Sequence, residues 1–169
     1  MPIILKSKSE IEVMRRAGNV VHHILQKMRE AIKPGITTLE LDEIAGEEMR
    51  RFNVVSSSRW YPTYKEGEGF PGYTCISVNE EVIHGIPGPR KLREGDIVSI
   101  DVNVFLEGWV ADTAATFPVG AVSPKIQKLL DVTQAALQVA IETAKPGKKW
   151  SDVARLMQWT VEQAKFNVV

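Results

Sequence analysis

The sequence predicts an α+β fold in which antiparallel sheet is backed by helices, built as two similar halves of which the second is incomplete. Three observations carry this. Residues 97–118, IVSIDVNVFLEGWVADTAATFP, alternate about a central turn as a half-buried β-hairpin does. A unit of Lys-Pro-Gly, capped helix and Phe-Asn-Val-Val occurs twice, at 33–55 and 145–169, each time after a long amphipathic helix. Only the first copy continues into strand-forming sequence.

The first helix opens on a capping box, Ser7 with Glu10, and carries an apolar stripe of Ile11, Met14, Val21, Leu25, Met28 and Ile32. Gly18 interrupts the stripe, where a neighbouring backbone is expected to approach closely. Lys33-Pro34-Gly35 ends the helix. His22 and His23 are adjacent and have no second ligand at i+4, so they read as surface or boundary residues. Thr37 and Glu40 cap a second helix through Leu41, Ile44, Ala45 and Met49 to Arg51, and Phe52-Asn53-Val54-Val55 leads into a strand.

The stretch SSSRWYPTYKEGEGFPG (56–72) is long for a loop inside a domain, which marks it as functional or disordered. Its aromatics, Trp60, Tyr61, Tyr64 and Phe70, argue for packing over something. A short strand from Tyr73 to Val78 contains Cys75, and NEEVIHGIPGP then places His84 among turn formers. Arg93-Glu94-Gly95-Asp96 turns the chain into the hairpin. Beyond it, Ser123-Pro124 starts a helix that stops at Lys145-Pro146-Gly147, and Ser151 is expected to cap the last one. The helices at 124–165 then have an apolar face and no sheet to cover. The chain therefore reads as one domain over residues 1–169, truncated at its C-terminus.

Composition narrows the function. Lysine plus arginine and aspartate plus glutamate are both 21, so a net charge of zero gives no electrostatic case for nucleic acid or an anionic membrane as partner. Cys75 is the only cysteine, which excludes an internal disulfide and fits a reducing compartment. The N-terminal apolar run is too short for a signal peptide, and no run approaches a bilayer span, so a cytoplasmic chain is expected.

Within the hairpin, Ile97, Ser99, Asp101, Asn103 and Phe105 share one face, and Val98, Ile100, Val102, Val104 and Leu106 the other. A two-residue turn at Leu106-Glu107 sets Asp112 opposite Asp101, and a turn at Glu107-Gly108 sets it opposite Asn103. Either register puts both carboxylates on one face, about 5–8 Å apart at Cβ. Two like charges so placed need a cation, a shared proton or a metal between them. Two metal ions about 3.5–4 Å apart, bridged by one carboxylate, fit that spacing. A solvent-facing hairpin with an acidic outer face is the other reading. Ser99, Asn103 and Thr116 share the face, and neither strand holds a Lys or Arg to neutralise the pair.

These segments together, ILKSKSEIEVMRRAG, CISVNEEVIHGIPG, GDIVSIDVNVFLEGWVADTAATFPVG and FNVV, resemble the N-terminal two thirds of the type I methionine aminopeptidases, along all 169 residues. The resemblance implies the pita-bread fold, with two pseudo-symmetric halves, and a peptidase M24 catalytic domain. It implies a metalloaminopeptidase that removes the initiator methionine from nascent proteins with a water activated by two divalent ions, Co, Mn, Fe or Zn. By position, Asp101 would be a ligand of one ion and Asp112 would bridge both. His84 would be the catalytic histidine that hydrogen-bonds the substrate backbone, and Cys75 and Phe70 would line the pocket for the methionine side chain. The implied partners are peptides with N-terminal Met and the ribosome, with a monomer as the complete form. The family's remaining ligands, a His and two Glu, belong to a segment after Val169.

Several positions depart from the family pattern. Val110-Ala111 stands where His-Gly is usual, Ala115 where a basic residue is common, and Asn103 where a small residue or Thr is usual. Gly67 takes the place of a frequent aromatic. The alternative function is a non-catalytic fragment of the same fold that binds a peptide or protein. A proline-specific peptidase of the same group is a third reading, weakened by the further N-terminal domain such enzymes usually carry.

Overall fold

Both expected capping boxes form in the computed structural model, which describes residues 4–62 and 68–169. Ser7 Oγ accepts from Glu10 N at 3.3 Å while the Glu10 carboxylate accepts from Ser7 N at 2.6 Å, opening α1 (Lys8–Ala31). Thr37 and Glu40 do the same at 3.1 and 2.7 Å for α2 (Thr38–Arg51). Each reciprocal pair satisfies two backbone donors that the first helical turn leaves free. The buried stripe of α1 runs through Ala17, Val21, Ile24, Leu25 and Met28. Ile11 and Met14, expected to begin it, are 44% and 38% exposed. Gly18 has no atom within 4 Å of where a Cβ would stand, so no backbone approaches it.

The sheet is organised on β3 (Ile97–Leu106). β4 (Trp109–Pro118) pairs with it antiparallel along its whole length and takes one edge. The other edge is shared by β1 (Val55–Ser56), opposite Val104 and Phe105, and β2 (Cys75–Val78), opposite Val98 to Asp101. The strand expected after α2 is only two residues long. Phe52 caps the helix and Asn53 takes a left-handed conformation (φ 52°), so half of Phe52-Asn53-Val54-Val55 is spent closing the helix. Alternation on β3 holds as expected. Val98, Ile100, Val102 and Val104 are fully buried against Val21, Ile24, Met28, Leu41 and Met49 of the two helices. Each is worth about 1.5–3 kcal/mol of burial, which fixes the hairpin's other face outward.

The chain divides into two compact units, one ending at Ala121 and one spanning Val122–Val169. The second holds α3 (Pro124–Thr143), capped by Ser123 Oγ on Ile126 N at 3.3 Å, and α4 (Trp150–Gln163). The cap of α4 is Lys149, without a side-chain hydrogen bond, and Ser151 lies inside the first turn. The internal repeat explains this correction. The ends of α1 and α3, the starts of α2 and α4, and the ends of α2 and α4 match at one offset of 112 residues (31 to 143, 38 to 150, 51 to 163). Lys149 thus occupies the position of Thr37, and the preserved spacing from Pro-Gly overrides capping preference.

Both short helices close in the same way. Asn53 N donates to Arg50 O and Val54 N to Met49 O; Lys165 N donates to Glu162 O and Phe166 N to Val161 O. Each pair is a Schellman closure. The two Phe-Asn-Val-Val sequences, offset by 114 (52 to 166), are therefore two residues out of step, and Phe166 takes the place of Val54. Ala136, Ala140 and Val153, the buried residues of α3 and α4, fall at the positions of Ile24, Met28 and Leu41. Among the described residues no helix is long and apolar enough to cross a membrane.

Candidate active site

The hairpin turn decides between the two registers. Glu107 (φ 51°) and Gly108 (φ 82°) form a two-residue loop with both φ positive, the type I′ geometry that suits the twist of paired strands. Asp112 consequently stands opposite Asn103, and Asp101 opposite Ala114. The two aspartates are diagonal neighbours on the outward face. Ser99 Oγ and Thr116 Oγ1 are hydrogen-bonded at 2.8 Å further along it.

The long loop leaves the sheet edge beside Asn103 and returns opposite Asp101. Ser57 N donates to Asn103 O at 3.2 Å, and Cys75 is the cross-strand partner of Asp101. Ser56 Oγ donates to Tyr73 O (2.6 Å) and accepts from Ser58 N and Arg59 N (3.2 and 3.1 Å), tying the departing limb to the returning one. Trp60 N donates to Phe70 O and Phe70 N to Tyr61 O, both at 2.8 Å, so the two limbs pair beyond that point. Of the aromatics expected to pack, Trp60 and Tyr61 are 68% and 69% exposed. Tyr64 and Gly67 lie outside the described residues.

His84 is exposed with φ 57°, on a segment pressed against β2. Ile76 N donates to Gly85 O at 2.9 Å and Gly85 N to Ser77 Oγ at 3.0 Å. A Cβ on Gly85 would collide with Ile76 O, so this position requires glycine for the close approach.

These elements enclose a cavity of about 580 Å³. Phe70, Cys75, His84 and Asp112 stand in its wall, together with Ser57, Ser58 and Asn103. Asp101 is half-buried behind that wall, between Cys75 on one side and the Asn103–Asp112 pair on the other. Apolar area comes from Tyr61, Pro62, Ile86 and Val110. Sequence reasoning did not single out Ser57, Ser58, Ile86 or Val110 as wall residues. Pairing of the loop to Asn103 brings in the serines, and only the Ser-Ser-Ser run hinted at them.

Burial, then the Asp112 carboxylate, pushes the Asp101 carboxyl above its ordinary range, against a lowering hydrogen bond from Asn103. Burial and the neighbouring Asp101, Asp42 and Asp112 push the Cys75 thiol up to about 11, so at neutral pH it is a thiol and not a thiolate. Among the described residues no Lys or Arg pairs with Asp101 or Asp112. Oxygen donors of this kind suit a divalent cation. Two carboxylates are part of a ligand set and not a whole one. Among the described residues no group of three or more His, Cys, Asp and Glu side chains could hold a metal ion.

The sequence pattern of metallopeptidase family M24 matches residues 12–169. "Methionine aminopeptidase 1" of Bacillus subtilis is 42% identical over 167 residues, covering 99% of this chain and 65% of that protein. The crystal structure of methionine aminopeptidase from Rickettsia prowazekii superposes with a TM-score of 0.91 at 33% identity, over 99% of this chain and 65% of that one. The Thermotoga maritima methionine aminopeptidase gives 0.90 at 38%, over 99% and 66%. The fold is thus the pita-bread fold. The chain spans about 65% of the length of the curated relatives it matches.

Proposed function

The chain belongs to metallopeptidase family M24, and we propose that it supplies one wall of the active site of an aminopeptidase that removes the initiator methionine from nascent proteins. The observation that carries this reading is the placement of Asp101 and Asp112 together on the outward face of the hairpin, without a Lys or Arg paired to them among the described residues and beside a cavity that His84 also lines. In this reading Asp101 and Asp112 would hold divalent ions, two in number and drawn from Co, Mn, Fe or Zn. When bound, the ions supply a water activated for attack on the first peptide carbonyl.

The chain's own side chains bind and orient. Phe70 and Cys75 give the methionine side chain an apolar wall, and a thioether against an aromatic ring gains about 0.3–1.5 kcal/mol. His84 stands in the same wall, in reach of a peptide backbone laid across the cavity, and donates or accepts a hydrogen bond there. The partners are peptides bearing N-terminal Met, the ribosome is where they emerge, and the compartment is the cytoplasm. The complete protein acts as a monomer, and residues 1–169 belong to a single catalytic domain.

The test is release of methionine from Met-Ala peptides by the full natural polypeptide that carries this chain, with divalent metal added. Activity that Asp112→Ala abolishes is expected. A polypeptide that is inert with every metal, or one whose activity survives Asp112→Ala, overturns the reading. One observation favours a second reading: the described residues bring together only two carboxylates as cation ligands. By themselves they bind a Met-peptide without cleaving it, which calorimetry with a Met-Ala peptide distinguishes.

A further inference from the structure

Among the described residues, Asn103 is the one side chain that joins the long loop to an aspartate of the site. Its Oδ1 accepts from Ser57 Oγ at 3.2 Å and from Ser58 Oγ, and its Nδ2 donates to Asp101 Oδ1 at 3.0 Å. Its carbonyl oxygen accepts from Ser57 N. The Asp101 carboxylate, an acceptor only, fixes which end of the amide is which. With the amide nitrogen turned to the carboxylate, Oδ1 is left to the two serine hydroxyls, and a flipped amide would set its oxygen against Asp101. The terminal torsion of a carboxylate is broad and roughly two-fold, so an aspartate without such a donor turns freely.

We propose that Asn103, itself held by Ser57 and Ser58, is a positioning residue that sets the orientation of the Asp101 carboxylate for cation binding. The inference rests on the reading of Asp101 and Asp112 as cation ligands. The amide occupies one lone pair of Oδ1 and leaves the other lone pairs of the carboxylate for a cation. It also ties the carboxylate to the cavity wall, because Ser57, Ser58 and Asn103 all line that cavity. A ligand carboxylate hydrogen-bonded from behind binds metal more tightly, and loss of such a partner typically costs roughly tenfold to a hundredfold in affinity.

The test uses the full natural polypeptide and Mn(II) titrated by calorimetry, with the visible absorption of the Co(II)-loaded protein as a second readout. Asn103→Leu keeps the branched shape and removes every side-chain hydrogen bond. It is expected to weaken Mn(II) roughly tenfold to a hundredfold and to alter the Co(II) bands. Ser57→Ala with Ser58→Ala leaves Asn103 in place but unheld, and is expected to shift both readouts in the same direction by less. A purely structural role would lower the melting temperature and leave the Co(II) bands unchanged. Parent-like Mn(II) affinity and Co(II) bands in Asn103→Leu, with Mn(II) binding lost in Asp112→Ala, overturn this inference alone. Parent-like affinity in both Asn103→Leu and Asp112→Ala overturns the metal reading with it. Should Asn103→Leu fail to fold, parent-like readouts in the double serine variant overturn the inference.

Discussion

Asp112 stands directly opposite Asn103 across the β3–β4 hairpin, which makes it the diagonal neighbour of Asp101 and not its cross-strand partner. A two-residue turn at Glu107-Gly108 sets that register. A slip of one residue would send one aspartate to the core face, so the turn holds the site together from a distance.

Gly108→Ala is expected to lower stability by about 1 kcal/mol, because φ 82° is open to glycine and costly for alanine. Glu107→Asn is expected to raise it. Glutamate at φ 51° is strained by about 1 kcal/mol or more, which asparagine largely relieves. The change also removes the Arg16–Glu107 ion pair (2.6 Å), whose side chains are 50% and 53% exposed, so that solvent screens most of its attraction. Urea unfolding midpoints check both. A less stable Glu107→Asn would show that the ion pair outweighs the strain.

Two helical glycines separate packing from propensity. Gly18→Ala is expected to stabilise by about 0.5–1 kcal/mol, since a Cβ there meets nothing within 4 Å. Gly46→Ala is expected to destabilise by about 1–3 kcal/mol. Its Cβ would lie 2.5–2.9 Å from the Tyr73 ring. That ring is held by Arg59, 4.0 Å over its face, and by Arg50 Nη1 donating to its hydroxyl at 3.3 Å. Thermal unfolding of the two variants should move in opposite directions.

Local rules made much of this legible in advance. Capping boxes at Ser7 and Thr37 are decided within four residues, and the alternation of Val98, Ile100, Val102 and Val104 fixes a face without reference to anything distant. The candidate aspartates were legible for the same reason. What depended on contacts far along the chain was not. The α4 cap at Lys149 follows the repeat's spacing against capping preference. The Phe-Asn-Val-Val match looked like structural equivalence until the helix closures placed it two residues out of step. Ser57 and Ser58 reach the site because the loop pairs with Asn103, 46 and 45 residues away.

Glu48 should control part of the acid limb of stability. Its side chain is 9% exposed and accepts from Arg51 Nη1 (2.6 Å), with His23 Nε2 at 3.0 Å. Burial alone would raise its carboxyl, but the hydrogen bonds from Arg51 and His23 outweigh that and hold it below the ordinary range. A depressed carboxylate contributes stability above its unfolded pKa of about 4.3, and loses it as pH falls through the folded value. Glu48→Gln is therefore expected to cost about 1–2 kcal/mol at neutral pH, with the gap closing in acid below the carboxylate range. A gap that stays constant down the acid limb would refute the linkage.

Asp42 carries the opposite sign and a larger structural load. It is buried on α2 and accepts three hydrogen bonds from the two residues that lead into β2: Tyr73 N at 3.0 Å, Thr74 N at 2.8 Å and Thr74 Oγ1 at 2.7 Å. Burial pushes its carboxyl above the ordinary range against those bonds, so stability linked to it falls as pH rises through the window between unfolded and folded values. Acid does not release this anchor by protonating it early. Removing it does. Asp42→Ala orphans three donors, two of them on the fully buried Thr74, and is expected to cost about 3 kcal/mol or more. Asp42→Asn keeps one acceptor but turns an amide N–H toward a backbone N–H, and is expected to fall between. Because Cys75 follows Thr74 directly and is 7% exposed, loosening this anchor should also open the cavity wall. Native-state labelling of the Cys75 thiol is expected to accelerate in both variants before global unfolding. Labelling that tracks global stability alone would show that Asp42 supports the fold without holding the wall.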